Sequence, residues 1–206
     1  MLMSVNSKTP EKRKLEKIKE VLENGGIIAY PTDTSFGIGC DLKNKKAVEK
    51  IYQLLDLPKN KNLSFLCPSL SNVAEYAVVS NLAYKTMKRL VPGAYTFILD
   101  ASKTVPLRLL SKRKQVGIRV PNNVICQSII ADLGRPIIST TAKNASGEYF
   151  LDAQEIHQEL GKLIDIVIDP TEMIEAQGLS TVIDFSDDEV TLVRKGLGDY
   201  SWIVEE

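Results

Sequence analysis

Three features of this 206-residue sequence predict an α/β fold, a mixed sheet flanked by helices. Short apolar runs rich in β-branched residues recur along the whole chain, and between them lie stretches whose apolar residues repeat every three to four positions. Some neighbouring runs are separated by only a short turn, which requires antiparallel as well as parallel pairing. With 44% apolar and 25% charged residues, the chain can bury a full core as one domain over 1–206, and no internal repeat or low-complexity linker divides it.

The first helix is expected to open at Thr9-Pro10, a hydroxyl cap followed by a proline at the first helical position. It buries Leu15, Ile18 and Leu22 until Asn24-Gly25 ends it. Gly26-Ile27-Ile28-Ala29 then reads as a buried strand, and Tyr30-Pro31-Thr32-Asp33-Thr34-Ser35-Phe36-Gly37-Ile38-Gly39 as a hydroxyl-rich turn leaving it. Pro31 cannot extend a ladder, and Gly37 and Gly39 let the backbone approach a ligand with no Cβ in the way. Residues 44–54 form a helix with Ala47, Val48, Ile51 and Leu54 inward, and residues 63–67 form a strand. Ser69 or Ser71 caps a helix running through Ala77, and Asn81 caps another that stops at Val91-Pro92-Gly93. Strands follow at 95–99, 116–120, 136–139, 164–168, 181–185 and 190–193, with helices at 123–133 and 152–160. The turn Ser186-Asp187-Asp188-Glu189 makes the last two strands antiparallel, and residues 143–151 read as a mobile loop.

Composition excludes several classes. No apolar stretch approaches the ~20 residues that span a bilayer, and Met1-Leu2-Met3-Ser4 leads into polar residues, so a cytoplasmic protein without membrane contact is expected. Cys40, Cys67, Cys126 and the single histidine, His157, have no metal-ligand spacing and read as structural. The Gly37-Ile38-Gly39 pair lacks the third glycine of a dinucleotide fingerprint, and neither a phosphate-binding P-loop nor a nucleophile elbow is present. The zero net charge hides an asymmetry: residues 1–120 hold 21 Lys/Arg against 10 Asp/Glu, whereas the remainder holds 5 against 16. Basic clusters such as Lys12-Arg13-Lys14 and Lys112-Arg113-Lys114, brought to one face, would attract the phosphates of ATP or RNA.

One side chain in the predicted core strand at 116–120 stands out. Val116, Ile118 and Val120 occupy one face, which leaves Arg119 on the other. A buried guanidinium without an anion costs several kcal/mol, so Arg119 meets either an internal carboxylate or a ligand.

Six words in order resemble the YrdC-like family. The first is Tyr30-Pro31-Thr32-Asp33-Thr34, followed by Pro92-Gly93-Ala94-Tyr95-Thr96, then Arg119-Val120-Pro121 and Ser139-Thr140-Thr141-Ala142. Ser180-Thr181-Val182-Ile183-Asp184 and Arg194-Lys195-Gly196 complete the set. Details at 95–99 and 181–199 are more similar to the YciO branch than to the TsaC synthases. The resemblance implies a YrdC-like twisted sheet with a concave basic cleft. It also implies a threonine-type pocket at Thr34, Arg119, Ser139 and Thr181, and nucleotide contacts at Lys61, Thr141 and Arg194.

The synthases of this family join L-threonine, bicarbonate and ATP into threonylcarbamoyl-adenylate for tRNA modification, and Mg²⁺ is expected only where ATP is used. Their Lys-x-Arg pair corresponds here to Leu55 and Leu57, and Thr141-Ala142-Lys143 replaces their Ser-x-Asn, with Asn144 one place late. Losing one preorganised transition-state charge costs about 10²- to 10³-fold. Lys59, Lys61 and Lys143 stand near the altered positions, but a lysine does not reproduce an arginine fork. The expectation is therefore a YciO-type protein that binds nucleotide or structured RNA phosphates without efficient synthase turnover. The alternatives are an active synthase or a non-catalytic double-stranded RNA-binding module.

Overall fold

The computed structural model describes residues 1–58, 62–106, 109, 113–150, 152–173, 178–187 and 189–203. Lys59, Lys61, Lys112 and Asp188, named above, and the last residue of the loop expected at 143–151 lie outside them. The ten strands are β1 (Leu2–Val5), β2 (Ile28–Tyr30), β3 (Gly37–Asp41), β4 (Ser64–Leu66), β5 (Tyr95–Asp100), β6 (Gln115–Arg119), β7 (Ile137–Thr141), β8 (Ile166–Pro170), β9 (Thr181–Asp184) and β10 (Thr191–Arg194). They form one mixed sheet in the order β1-β8-β2-β3-β7-β4-β6-β5-β9-β10. The helices are α1 (Lys12–Glu23), α2 (Lys45–Leu54), α3 (Val73–Tyr76), α4 (Asn81–Leu90), α5 (Val124–Leu133) and α6 (Ala153–Leu160), with a 3-10 turn at Leu70–Asn72 before α3.

Strand periodicity sorts side chains to two faces. Leu66, Ile137, Ile166 and Ile168 point toward Ile18 and Leu22 of α1 and Ile125, Ile129 and Ile130 of α5. Their strand neighbours Phe65, Ile138 and Val167 point the other way, into a larger core with Ala47, Val48 and Ile51 of α2, Met87 of α4 and Ile156 of α6. Caps fix four of the helix starts: the side chains of Asn44, Ser80, Asn123 and Asp152 accept from Ala47 N, Ala83 N, Cys126 N and Glu155 N.

The structure corrects the sequence reading at several elements. The first helix starts after Glu11 rather than at Thr9-Pro10. Asn6 Oδ1 accepts from Lys8 N and Thr9 N, and this local turn holds the segment out of the helix. Ser80, one residue before Asn81, caps α4. Two strands were not anticipated. The short β1 is held by parallel pairing with β8, and β3 was read as part of a turn because its Gly37-Ile38-Gly39 has low strand propensity. At Gly39 the reason for a glycine is packing within the sheet, whereas Gly37 borders the cavity described below. A Cβ on Gly39 would stand 2.6 Å from Ile137 Cγ2 and 2.7 Å from Ile138 O, so glycine is what lets β3 lie between β2 and β7. In the segment expected to be mobile, Lys143 bridges Tyr149, and Asn144 Oδ1 accepts from Ser146 N and Glu148 N.

Burial pushes the thiols of Cys40 and Cys67 up to about 12 and that of Cys126 upward as well. The folded chain keeps these protons where an unfolded chain releases them, from about pH 8.5. Their contribution is thus fully present below that pH and falls as pH rises toward 12. We expect a lower urea midpoint at pH 10 than at pH 7, and no reaction of native protein with a thiol reagent at pH 7.5 until denaturant is added. Rapid labelling of the native protein would contradict the burial.

Candidate functional site

A cavity of about 540 Å³ opens over the middle of the sheet. Its floor is a row of small residues in register, Ser139 paired with Ser64 and Ser64 with Gly117, with Gly37 beside them on β3 paired with Thr141. Larger side chains at 139, 64 and 117 would fill the space. Ser64, Gly117, Ser139, Thr140 and Thr141 all line it.

The β2–β3 hairpin supplies one wall. Thr32 Oγ1 donates to Ser35 O at 2.6 Å and accepts from Thr34 N at 3.2 Å, a side-chain-stabilised turn that holds Thr32, Thr34 and Ser35 in place. Arg119 projects from the end of β6 toward this turn. Its Nη2 donates to Thr34 Oγ1 at 2.8 Å and pairs with Asp33 Oδ1. Asp33 Oδ2 accepts from Asn122 N at 3.0 Å, so the carboxylate is held from both sides. The pair is well shielded, with the Arg119 and Asp33 side chains 11% and 12% exposed. Arg119 Nε is buried without a partner, and Arg119 lines the cavity. Arg119 thus meets an internal carboxylate, one of the two outcomes foreseen for it, and the same side chain lines the cavity.

Arg194 comes from the far edge of the sheet. A β-bulge between Leu192 and Arg194 bends β10. The guanidinium donates to Ser180 O from Nε at 3.1 Å and from Nη2 at 2.8 Å. Ser180 Oγ in turn lies 2.7 Å from Thr96 Oγ1. Among the described residues no carboxylate pairs with Arg194. Burial holds its guanidinium below its ordinary value; Tyr149 partly offsets this, and the charge of Arg119 adds to it. Lys143, a third lining cation, sits 4.7 Å above the Tyr149 ring. Among the described lining residues there is no Asp or Glu. Among the described residues there is also no cluster of three or more His, Cys, Asp or Glu that would hold a metal.

Of the residues singled out in the sequence, Arg119, Ser139, Thr141 and Arg194 line the cavity. Thr34 stands beside it, bonded to Arg119, and Ser139 Oγ accepts from the buried Tyr30 hydroxyl at 2.5 Å. Thr181 is placed differently: it is fully buried, its hydroxyl donates to Gly198 O at 2.6 Å, and it is not among the lining residues. The hydroxyl in that region that reaches the cavity is its neighbour Ser180. Sequence reasoning missed Ser64, Thr96 and Ser180. The signal for Ser64 was its polarity in an otherwise apolar strand. Leu55 and Leu57 line the cavity as well.

Comparison with known proteins places the chain. A family model described as telomere recombination, Sua5/YciO/YrdC, matches residues 20–196. The chain belongs to the Sua5/YciO/YrdC family. It is 39% identical to the YciO protein of Escherichia coli strain K12 over 197 residues, 95% of either chain. It is also 33% identical over 187 residues to a putative threonylcarbamoyl-AMP synthase of Methanocaldococcus jannaschii, covering 90% of this chain and 87% of that one. The crystal structure of E. coli YciO superposes with a TM-score of 0.91 at 37% identity over 98% of both chains. Sua5 of P. abyssi complexed with L-threonine superposes with a TM-score of 0.87 at 25% identity, over 95% of this chain and 57% of Sua5. The mixed sheet flanked by helices is thus the family's fold, and no helix of the described residues is long and apolar enough to cross a membrane.

Removing one partner from a shielded ion pair leaves a buried charge uncompensated. Asp33→Asn should therefore lower stability by about 3 kcal/mol in urea unfolding, and Asp33→Asn/Arg119→Met should recover most of the loss. Equal losses in the single and double variants would show that the pair is not coupled.

Proposed function

We propose that the cavity binds a nucleotide through its phosphate, with Arg194 and Lys143 as the phosphate-facing cations, and that it does so without efficient synthase turnover. The observation that carries this reading is Arg194: a half-buried guanidinium, anchored on Ser180 and lining a cavity, with no carboxylate partner among the described residues. An anionic ligand supplies the missing charge, and a phosphate is an anion that a guanidinium suits.

Arg119 offers a second contact. Its guanidinium, which lines the cavity and holds Thr34 Oγ1 through Nη2, suits a carboxylate such as that of L-threonine, the ligand of the P. abyssi Sua5 structure. Family membership and relatives named as threonylcarbamoyl-AMP synthases support a nucleotide in the same cavity. Leu55 and Leu57 argue against efficient turnover, since they line the cavity where the resemblance puts the synthases' Lys and Arg.

Structured RNA ranks behind a nucleotide. Lys12, Lys14, Lys17 and Lys45 each ion-pair with a glutamate three or four residues away, so these four lysines are locally neutralised.

With ATP, L-threonine and bicarbonate, pyrophosphate release should be at least about 10²-fold slower than for a Lys-x-Arg-bearing relative. Titration calorimetry should show adenosine nucleotide binding that Arg194→Ala weakens about tenfold or more, the usual worth of a charge-assisted hydrogen bond. Binding unaffected by Arg194→Ala would overturn the assignment of the phosphate site.

A further inference from the structure

One hydroxyl on the cavity floor is held from within the core. Ser139 lines the cavity, and its Oγ accepts from the Tyr30 hydroxyl at 2.5 Å. Tyr30 is fully buried at the end of β2, in the core that contains Ile125, Cys126 and Ile137, and it is not itself a lining residue. Among the described residues Ser139 is the one hydrogen-bond partner of its hydroxyl. Burial raises the phenol well above its ordinary value, so the group stays protonated and its proton goes to Ser139. A serine hydroxyl has one proton and two lone pairs. Tyr30 fills a lone pair, and no acceptor for the Ser139 proton is present among the described residues, which leaves that proton for the occupant of the cavity.

Two glycines make this reach possible. In the sheet β3 separates β2 from β7, so the Tyr30 ring has to cross β3 to meet Ser139. It crosses over Gly37 and Gly39. A Cβ on Gly37 would stand 3.0 Å from Tyr30 Cζ, 3.1 Å from its hydroxyl oxygen and 3.2 Å from Ser139 Oγ, and a Cβ on Gly39 would stand 3.1 Å from Tyr30 Cε1. The Gly37-Ile38-Gly39 pair, which lacks a dinucleotide fingerprint, thus houses the ring that holds Ser139. Sheet order also sets which end of the cavity Ser139 serves. One strand, β4, lies between it and β6, which carries Arg119, whereas four strands lie between it and β10, which carries Arg194. Ser139 belongs to the Arg119 end.

We infer that Tyr30 is a positioning residue: it fixes the Ser139 hydroxyl as a donor into the cavity, so that this part of the floor receives an acceptor oxygen such as one of a carboxylate. The inference rests on the reading of the Arg119 end as a carboxylate site. Calorimetric titration with L-threonine tests it on the full chain, Tyr30→Phe, Ser139→Ala and the double variant. Tyr30→Phe frees the Ser139 hydroxyl to its other staggered rotamers and should weaken binding about threefold or more. The same change made on top of Ser139→Ala should leave affinity unchanged within about 1.5-fold, because the residue through which Tyr30 acts is already gone. Urea unfolding reads the bond itself: Ser139→Ala strands the buried phenol and should lower the midpoint, and adding Tyr30→Phe should recover it. Equal weakening by Tyr30→Phe in both backgrounds would show that the ring acts by packing and would overturn the inference, as would no weakening in either, or a midpoint that does not recover. No binding of L-threonine by the unaltered chain would overturn the carboxylate reading of the Arg119 end, and this inference with it.

Discussion

The site depends on one constraint of the sheet: three neighbouring strands present small residues in register on the cavity floor, Ser139, Ser64 and Gly117. Where a sheet face carries branched side chains, the adjoining layer closes on it at about 10 Å and leaves no cavity. Elsewhere this sheet does so, with Ile137, Ile166 and Ile168 packed under α1 and α5. Over the small-residue row the layer is absent, and the space is bounded instead by the β2–β3 hairpin, the end of α2 and the segment around Ser180. Gly39 serves both ends, since the strand-to-strand approach that admits β3 also positions the hairpin carrying Thr32 to Ser35.

Electrostatically the cavity has two unlike ends. At the Arg119 end the charge is internally balanced, and the hydroxyls of Thr32 and Thr34 share the guanidinium with Asp33. A ligand there is recognised by hydrogen-bond geometry more than by net charge. At the Arg194 end the cation is unpaired among the described residues and partly desolvated, which is costly unless an anion arrives. A molecule with one polar, balanced end and one anionic end fits both. Both guanidinium groups line this space.

The framework around the site is covalently unconstrained but well determined. Arg135 pairs with Asp41 through Nε and Nη2, tying the start of β7 to the end of β3 beneath the small-residue row. Thr181 and Tyr95 perform a similar task on the other side, donating to Gly198 O and Asp199 O and so fixing the segment that follows Arg194. The hydroxyl of Thr181 is thus structural, and its neighbour Ser180 carries the polar contact.

The sequence by itself determined most of the elements and the residue types of the site. Caps such as Asn123, apolar periodicity in α2 and β-branched runs such as 164–168 are local signals, and local hydrogen bonding and side-chain spacing suffice to read them. It also exposed Arg119, because one charged residue in an alternating apolar strand needs a reason. Tertiary structure decided the rest. β1 and β3 have weak strand propensity and exist because β8, β2 and β7 offer them pairing partners. Whether Ser180 or Thr181 faces the cavity turned on strand register, which reverses with a shift of one residue and is set by neighbours far along the chain. The union of Ser64, Ser139 and Gly117 into one floor, with Arg119 and Arg194 above it, joins residues as much as 130 positions apart, and no local signal encodes such an alignment.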